Sequence, residues 1–417
     1  MNEKNESLSL ILPLKKREEI QNQWLFHRLN ILLPDLMKKH QLQMWVVIGR
    51  EYNEDPVLKT LYPSSIDSSR RLTILVFWLD QKQQLKRWVI HPNPSFEPFY
   101  ERIWKIEDGD QWECLKNIVE KCNPDTIGLN YSHTFAASDG LSHSYFEQLS
   151  KVLDGYTDKF VSAEHLIVDW LSIRSQEEIM SYPSIAELAR KIAEEALSSK
   201  VIHAGITTTE DVVDWIRQRV LDLGLETSFY PTVDIQREGA EMDRIEGEII
   251  RPGDIVHLDF GINYLGLSTD TQQLAYVLKP GETDAPEGLQ SAFRTALRLE
   301  DILTFHMEEG KTGNEVFQAA LTSAKSEHID AMIYSHPLGP HCHEVGALIG
   351  LYDQQRDIPI KGDLPLTSNT CYAMEFNIRQ FVPEWGRSVP IFLEEPVALI
   401  DGEVQYMAKR QTSFYLI

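Results

Sequence analysis

Short apolar runs alternate with helical patterns over the first 165 or so residues. Met44–Gly49, Leu72–Leu79, Arg87–Ile90 and Ile127–Leu129 are rich in Val, Ile and Trp, while residues 16–40 and 111–122 carry amphipathic stretches. Runs this short and this apolar suit strands buried on both faces, which predicts an α/β domain. The region has no glycine-rich phosphate loop and no clustered His or Cys. Its expected work is structural, in shaping a cleft or a subunit interface.

The pattern changes between Asp169 and Ser175, which sets expected domains of 1–168 and 169–417. Ser175-Gln-Glu-Glu178 has the form of a capping box, in which two side chains satisfy the free amides of a helix start. Apolar residues at Ile185, Leu188, Ala189, Ile192 and Ala196 then line one helical face, with Pro183 expected to kink the helix or restart it. Thr208–Asp211 and Thr312–Glu315 are further boxes, each ahead of an apolar helical pattern. Strand-like segments follow at Ile255–Phe260, Gln272–Leu278, Cys371–Ile378 and Ile391–Ile400, making the second half α+β.

Composition narrows the function. Lys and Arg number 40 against 63 Asp and Glu, a net charge of −23 that argues against a nucleic-acid partner. A hydrophobic content of 42% supplies real cores. No apolar run approaches the ~20 residues that span a bilayer, so no membrane role is expected. The first apolar stretch, Leu8–Leu14, is short and preceded by acidic residues, so no cleaved leader is visible. The four cysteines form no CxxC pair, which favours a reducing compartment and a cytoplasmic location.

The chemistry lies in the second half. Asp259 and Asp270 stand 11 apart, each in an apolar, β-rich setting where a carboxylate is costly unless paired, hydrogen-bonded or bound to a metal. His336, His341 and His343 fall within eight positions of a chain with only 13 histidines, and Pro337 biases His336 towards an extended backbone. HExxH is absent, so any metal site must gather ligands from distant segments. Glu375, Glu394 and Glu395 sit in apolar strand patterns; alternation admits only one of the last two to a site and sends the other towards solvent.

Asp, Asp, His, Glu, Glu in this order resembles the pita-bread (M24-type) metallopeptidases, the superfamily of methionine aminopeptidase, aminopeptidase P and prolidase. The resemblance covers roughly residues 170–410, and the first 165 resemble the amino-terminal domain of the aminopeptidase P and prolidase branch. It implies two divalent ions, Mn²⁺ foremost with Co²⁺, Fe²⁺ or Zn²⁺ as alternatives, and an activated water between them. By the resemblance Asp259 would hold one ion, His336 and Glu375 the other, and Asp270 and Glu394 both. Glu375 would also carry a proton, His343 would face substrate and assist catalysis, and Tyr264 would contact substrate. The implied activity is hydrolysis of short peptides, as an Xaa-Pro aminopeptidase or dipeptidase, in a homodimer.

The sequence also departs from that branch. No histidine falls between His203 and His257, where a loop histidine is usual, and Met332 and Phe392 occupy positions where the branch places a histidine and an arginine. His257, on the strand face of Asp259, is a candidate replacement for the lost substrate contact, against a supporting or core role. Rival readings are a creatinase-like hydrolase of a non-peptide C–N bond, which lacks the metal set, and an inactive binding module of the histone-chaperone kind, whose ligands are lost. All five ligand positions are filled here.

Overall fold

The computed structural model describes residues 11–417, so Leu8–Leu10 of the first apolar stretch lie outside the described residues. Two compact units divide the chain, one of residues 13–171 and one of 172–417 together with residues 11 and 12. The division falls three residues beyond 168/169, and Leu12 joins the second unit, where its N–H donates to the Tyr264 hydroxyl at 2.8 Å.

The first unit is built on a mixed sheet of β1 (Met44–Gly49), β2 (Thr73–Leu79), β3 (Leu85–Ile90), β4 (Glu101–Arg102), β5 (Ile127–Leu129) and β6 (Phe160–Ser162), in spatial order β4-β3-β2-β1-β5-β6. β1 runs antiparallel to β2 and parallel to β5, and every residue of β1 is buried. Met44, Val46, Ile74, Val76, Ile127 and Leu129 share a core with Leu115 and Val119 of the helix Gln111–Cys122 and Leu149 of His143–Val152. Residues 16–40 are helical with one interruption: between Leu14–His27 and Leu33–Lys39 lies a π-turn at Arg28–Leu32. Pro34, which has no N–H for the ladder, lies in the first turn of the second piece.

The second unit carries β7 (Glu226–Thr227), β8 (Thr232–Gln236), β9 (Ile255–Phe260), β10 (Ile262–Tyr264), β11 (Leu267–Ser268), β12 (Thr271–Tyr276), β13 (Asp330–Ile333), β14 (His336–Leu338), β15 (Thr370–Val382), β16 (Arg387–Ile400), β17 (Glu403–Tyr406) and β18 (Tyr415–Leu416). The main sheet runs β13-β15-β16-β12-β9-β8, with β14, β17 and β18 added along it, and β11-β10-β7 form a small second sheet. All three capping boxes form. At Ser175 the amide donates to Glu178 Oε2 at 2.6 Å while the Glu178 amide donates to Ser175 Oγ at 3.3 Å. The helix that follows is a single element, Gln176–Ala196, that continues through Pro183 rather than restarting there, with Pro183 itself on the exposed side.

Helices Glu287–His306 and Gly313–Ser326 supply Leu289, Phe293, Leu299, Val316 and Phe317 to a core with Met374, Phe376, Ile391 and Leu393 of β15 and β16. Alternation then turns Glu375 and Glu394 to the other face. Register aligns that face: Thr232 pairs with Asp259, Asp259 with Gln272, Gln272 with Glu394, and Glu394 with Glu375. One transverse row across five strands therefore holds three acids and an amide.

Candidate metal centre

Each site residue is set by its local backbone. Asp259 is the penultimate residue of β9, and Gly261 lets the chain turn so closely that a Cβ there would overlap the Thr269 carbonyl, which brings Asp270 back beside Asp259. His336 opens β14 opposite Ala373 of β15. The loop after it is tied down by the Ser268 amide to Gly339 O at 2.8 Å and by buried Glu344, whose oxygens accept the His341 and Val345 amides at 3.1 and 2.8 Å.

The ligand atoms fall into three overlapping groups, each within 4.8 Å: Asp259, Asp270 and Glu394; His336, Glu375 and Glu394; and Asp270, His336 and His343. Glu394, Asp270 and His336 are each common to two groups. His336 Nδ1 donates to its neighbour's carbonyl, Pro337 O, at 3.1 Å, which fixes the tautomer and leaves Nε2 as a bare lone pair. That nitrogen lies 3.7 Å from Asp270 Oδ2 and 3.6 Å from Glu375 Oε2, beyond hydrogen-bond reach of either.

The donor set fits divalent cations. His336 Nε2, Asp259 Oδ1, Asp270 Oδ1 and both carboxylate oxygens of Glu394 are buried with no hydrogen-bond partner. Such atoms number only a few per hundred residues in native proteins, and five gathered in one cluster call for a common partner. Burial, reinforced by the charges of Asp259 and Glu375, raises Asp270 well above the usual carboxylate range. Glu394 rises likewise, through burial and then Asp270, Glu375 and Asp259. Burial followed by the Asp259 charge pushes Glu375 up to about 8. Burial and the His343 charge press His336 down to about 4. Four mutually repelling carboxylates and a neutral imidazole are the electrostatic counterpart of missing positive charge.

A stability prediction follows from the signs. Glu375 keeps its proton in the folded state up to about pH 8 against an ordinary value of 4.5, so the metal-free native state binds more protons than the unfolded chain and loses stability as pH rises through that window. The slope is roughly 1.4 kcal/mol per pH unit for each such proton. His336 acts in the opposite sense only between about 4 and 6.5, so the window from 6.5 to 8 isolates the carboxylate effect. Thermal melts of metal-free protein should show a lower midpoint at pH 8 than at 6.5, a difference that shrinks in Glu375→Gln and on adding Mn²⁺. A Glu375→Gln protein with the full pH dependence would contradict this.

The surrounding residues differ from expectation in three places. His257 is 1% exposed, with Nδ1 2.9 Å from Asp234 Oδ2 and Nε2 2.9 Å from Gln272 Oε1, so both ring nitrogens are engaged inside the protein and no face is left for substrate. Tyr264 is buried, with its hydroxyl accepting from Leu12, instead of lying open to a ligand. Glu395 does turn away from the cluster but is buried as well: Oε1 accepts the Gln411 amide at 2.7 Å, and burial followed by the Glu300 charge pushes it up to about 8. His343 is exposed, its ring 4.6 Å from that of His336 and inclined at 59°.

Three neighbours escaped the sequence reading. Gln272 Nε2 donates to Glu375 Oε1 at 3.0 Å. Cys342 donates its thiol proton to Asp270 Oδ2 at 2.9 Å. Asp234 Oδ2 accepts from Arg244 at 2.6 Å, and the same guanidinium stands 5.4 Å above the ring of Phe392, which packs on His257 at 5.0 Å. Strand alternation from Asp270 to Gln272 was the one available signal for the amide.

Comparison with known proteins places this geometry. The X-Pro aminopeptidase of Thermotoga maritima MSB8 superposes with a TM-score of 0.67 at 17% identity, over 91% of this chain and 100% of that one. An Xaa-Pro dipeptidase from Bacillus anthracis gives 0.64 at 15% identity, over 97% and 99%. The N-terminal domain of FACT complex subunit SPT16 from Eremothecium gossypii gives 0.64 at 12%, over 94% and 98%. No curated protein matches the sequence. These likenesses establish an α/β amino-terminal domain followed by a pita-bread domain, and the model of metallopeptidase family M24 matches residues 184–399. That match spans more than half of the chain and all five clustered acid and imidazole positions, and the chain belongs to metallopeptidase family M24.

Proposed function

We propose that this protein is a two-metal hydrolase of short peptides that cuts the bond before proline, as an aminopeptidase or dipeptidase. The observation that carries the reading is the overlap of the three ligand groups, which share Asp270, His336 and Glu394, with both Glu394 oxygens buried and free of hydrogen bonds. Asp259 would hold one ion, His336 and Glu375 the other, and Asp270 and Glu394 both; the oxygen-rich set favours Mn²⁺. Two such ions supply Lewis acidity and an activated water. Glu375 keeps one oxygen on Gln272 and the other towards His336, placed to pass a proton to the leaving nitrogen. His343, exposed beside His336, donates to the carbonyl oxygen as charge develops on it.

The choice of proline is supported by the printed activities of the aminopeptidase and dipeptidase neighbours, while the likeness to the SPT16 domain supports a binding role equally at the level of fold. The partnerless carboxylates favour the enzyme, because burying them costs stability that a binding module has no reason to spend. Apolar Met332 and Phe392 both lie opposite Asn377 on β15, which gives the cleft fewer donors for substrate carbonyl and carboxylate groups. Cleavage of Xaa-Pro bonds should therefore be slowest where proline's neighbours are charged. Comparing kcat/KM for matched Xaa-Pro and Xaa-Ala dipeptides and tripeptides on Mn²⁺-loaded protein tests this. Equal rates for Xaa-Ala, or no cleavage of either with metal bound, would overturn the proline assignment.

A further inference from the structure

Glu375 stands at the end of a chain of side chains that begins at the protein surface. Arg244, about one-third exposed, gives Nε and Nη2 to Asp234 Oδ2 at 2.8 and 2.6 Å. Asp234 Oδ2 meets His257 Nδ1 at 2.9 Å, His257 Nε2 meets Gln272 Oε1 at 2.9 Å, and Gln272 Nε2 donates to Glu375 Oε1 at 3.0 Å. Asp234, His257 and Gln272 are essentially fully buried, and Asp234 pairs directly with His257 in the β8–β9 register.

The order of donors along this chain is fixed. With a metal ion bound Glu375 is ionised and only accepts, so the amide turns its NH₂ towards it and its carbonyl towards His257. His257 thus stands between two acceptors, the Gln272 carbonyl at Nε2 and the Asp234 carboxylate at Nδ1. Burial alone would raise Asp234, but His257 and Arg244 outweigh it and hold the carboxylate below its ordinary value, keeping the acceptor charged. Reversing any one link sets two acceptors or two donors against each other. Gln272 is thus locked in a single orientation, which a solvent-exposed amide would not be.

We propose that Gln272 and His257, anchored by Asp234 and Arg244, are positioning residues for Glu375. They tie down Oε1 and so leave Oε2 alone to face His336 and the ion that the two would share. The inference rests on the two-metal reading of the site, and its first readout needs no substrate. A carboxylate ligand held in this way binds through one defined oxygen, and loss of such an outer partner typically costs 10- to 100-fold in metal affinity or turnover. Phe392, packed at a tilt on His257 and covered by Arg244, shields the middle of the chain from water, which strengthens each link.

The test compares the wild type with Gln272→Asn, which keeps the amide but is one methylene too short to reach both partners, and Gln272→Met, which keeps the volume without the hydrogen bonds. Mn²⁺ titrated calorimetrically into metal-free protein should show one of two ions weakened 10- to 100-fold in both variants while the other is little changed. With Xaa-Pro peptides, kcat should fall by a similar factor and KM should change less than threefold. A double substitution with His257→Gln should cost little more than Gln272→Asn alone, since both act through one carboxylate. Metal binding identical to wild type would overturn the relay, as would a raised KM at unchanged kcat, additive losses, or variants that are unfolded with and without Mn²⁺. A wild type that binds two ions and cuts no peptide would instead overturn the proposed function and leave the relay to its metal-binding readout.

Discussion

Glu394→Gln should lose peptide cleavage by well over a hundredfold and fail to retain two ions, whereas Glu395→Gln next to it should keep most of both. Glu394 belongs to two of the three ligand groups, and neither of its oxygens has another partner. Replacing one oxygen with an NH₂ puts a donor where a cation is needed and removes a negative charge shared by both positions, so the loss should exceed the 10- to 100-fold typical of outer groups. Glu395 differs by one residue and by a whole face of the sheet. Its Oε1 accepts the Gln411 amide, a bond that glutamine can keep. Metal content after dialysis against Mn²⁺, together with Xaa-Pro hydrolysis, separates the two. Reversed behaviour would mean that the side chain facing the metals is Glu395.

His343→Ala should lower kcat by 10²- to 10³-fold, about 2.7–4 kcal/mol of transition-state stabilisation, with bound metal unchanged. The imidazole is exposed and lies against the ring of His336. It also falls in one ligand group with Asp270 and His336, so a structural alternative makes it a ligand. Each reading has its own signature: a substrate-facing histidine costs turnover alone, while a ligand costs metal and turnover together. Parallel loss of both in His343→Ala would reassign it.

Much of this architecture was legible because its signals are local. A capping box such as Ser175 to Glu178 is written within four residues, and β1, β2 and β16 are runs whose apolar character survives without knowledge of their partners. The five acid and imidazole positions stood out because buried charge is costly and therefore conspicuous. What stayed hidden depends on pairing. β8 is a short strand in which Asp234 and Gln236 interrupt the apolar pattern, and its role becomes clear only once its register sets Asp234 against His257, 23 residues later. Gln272 is uncharged, so a search for ligating or titrating groups passes over it, although it sits between Asp259 and Glu394 in the ligand row. Glu395 shows the limit of alternation. The rule gives the face correctly, but the Gln411 segment and nearby Glu300 of the helix Glu287–His306 occupy that side, so the expected solvent is absent.

The same dependence explains the substrate contacts. Position 257 lies on the face of Asp259, as alternation requires, yet the ring is consumed by two protein partners and supports Glu375 indirectly. Phe392 looks like the loss of a guanidinium when read along the chain; in space, Arg244 from the loop after β8 lies over its ring but gives Nε and Nη2 to Asp234. The outer part of the site is rebuilt from other segments, and the five clustered donors keep their chain order.

The central claim is that these five side chains hold two divalent ions. Titration of metal-free, folded protein with Mn²⁺, followed calorimetrically at pH 8 where Glu375 begins to lose its proton, tests it most directly. Saturation at two ions per chain, with proton release on binding, is expected. Saturation at one ion, or no uptake by a protein that remains folded, would contradict it.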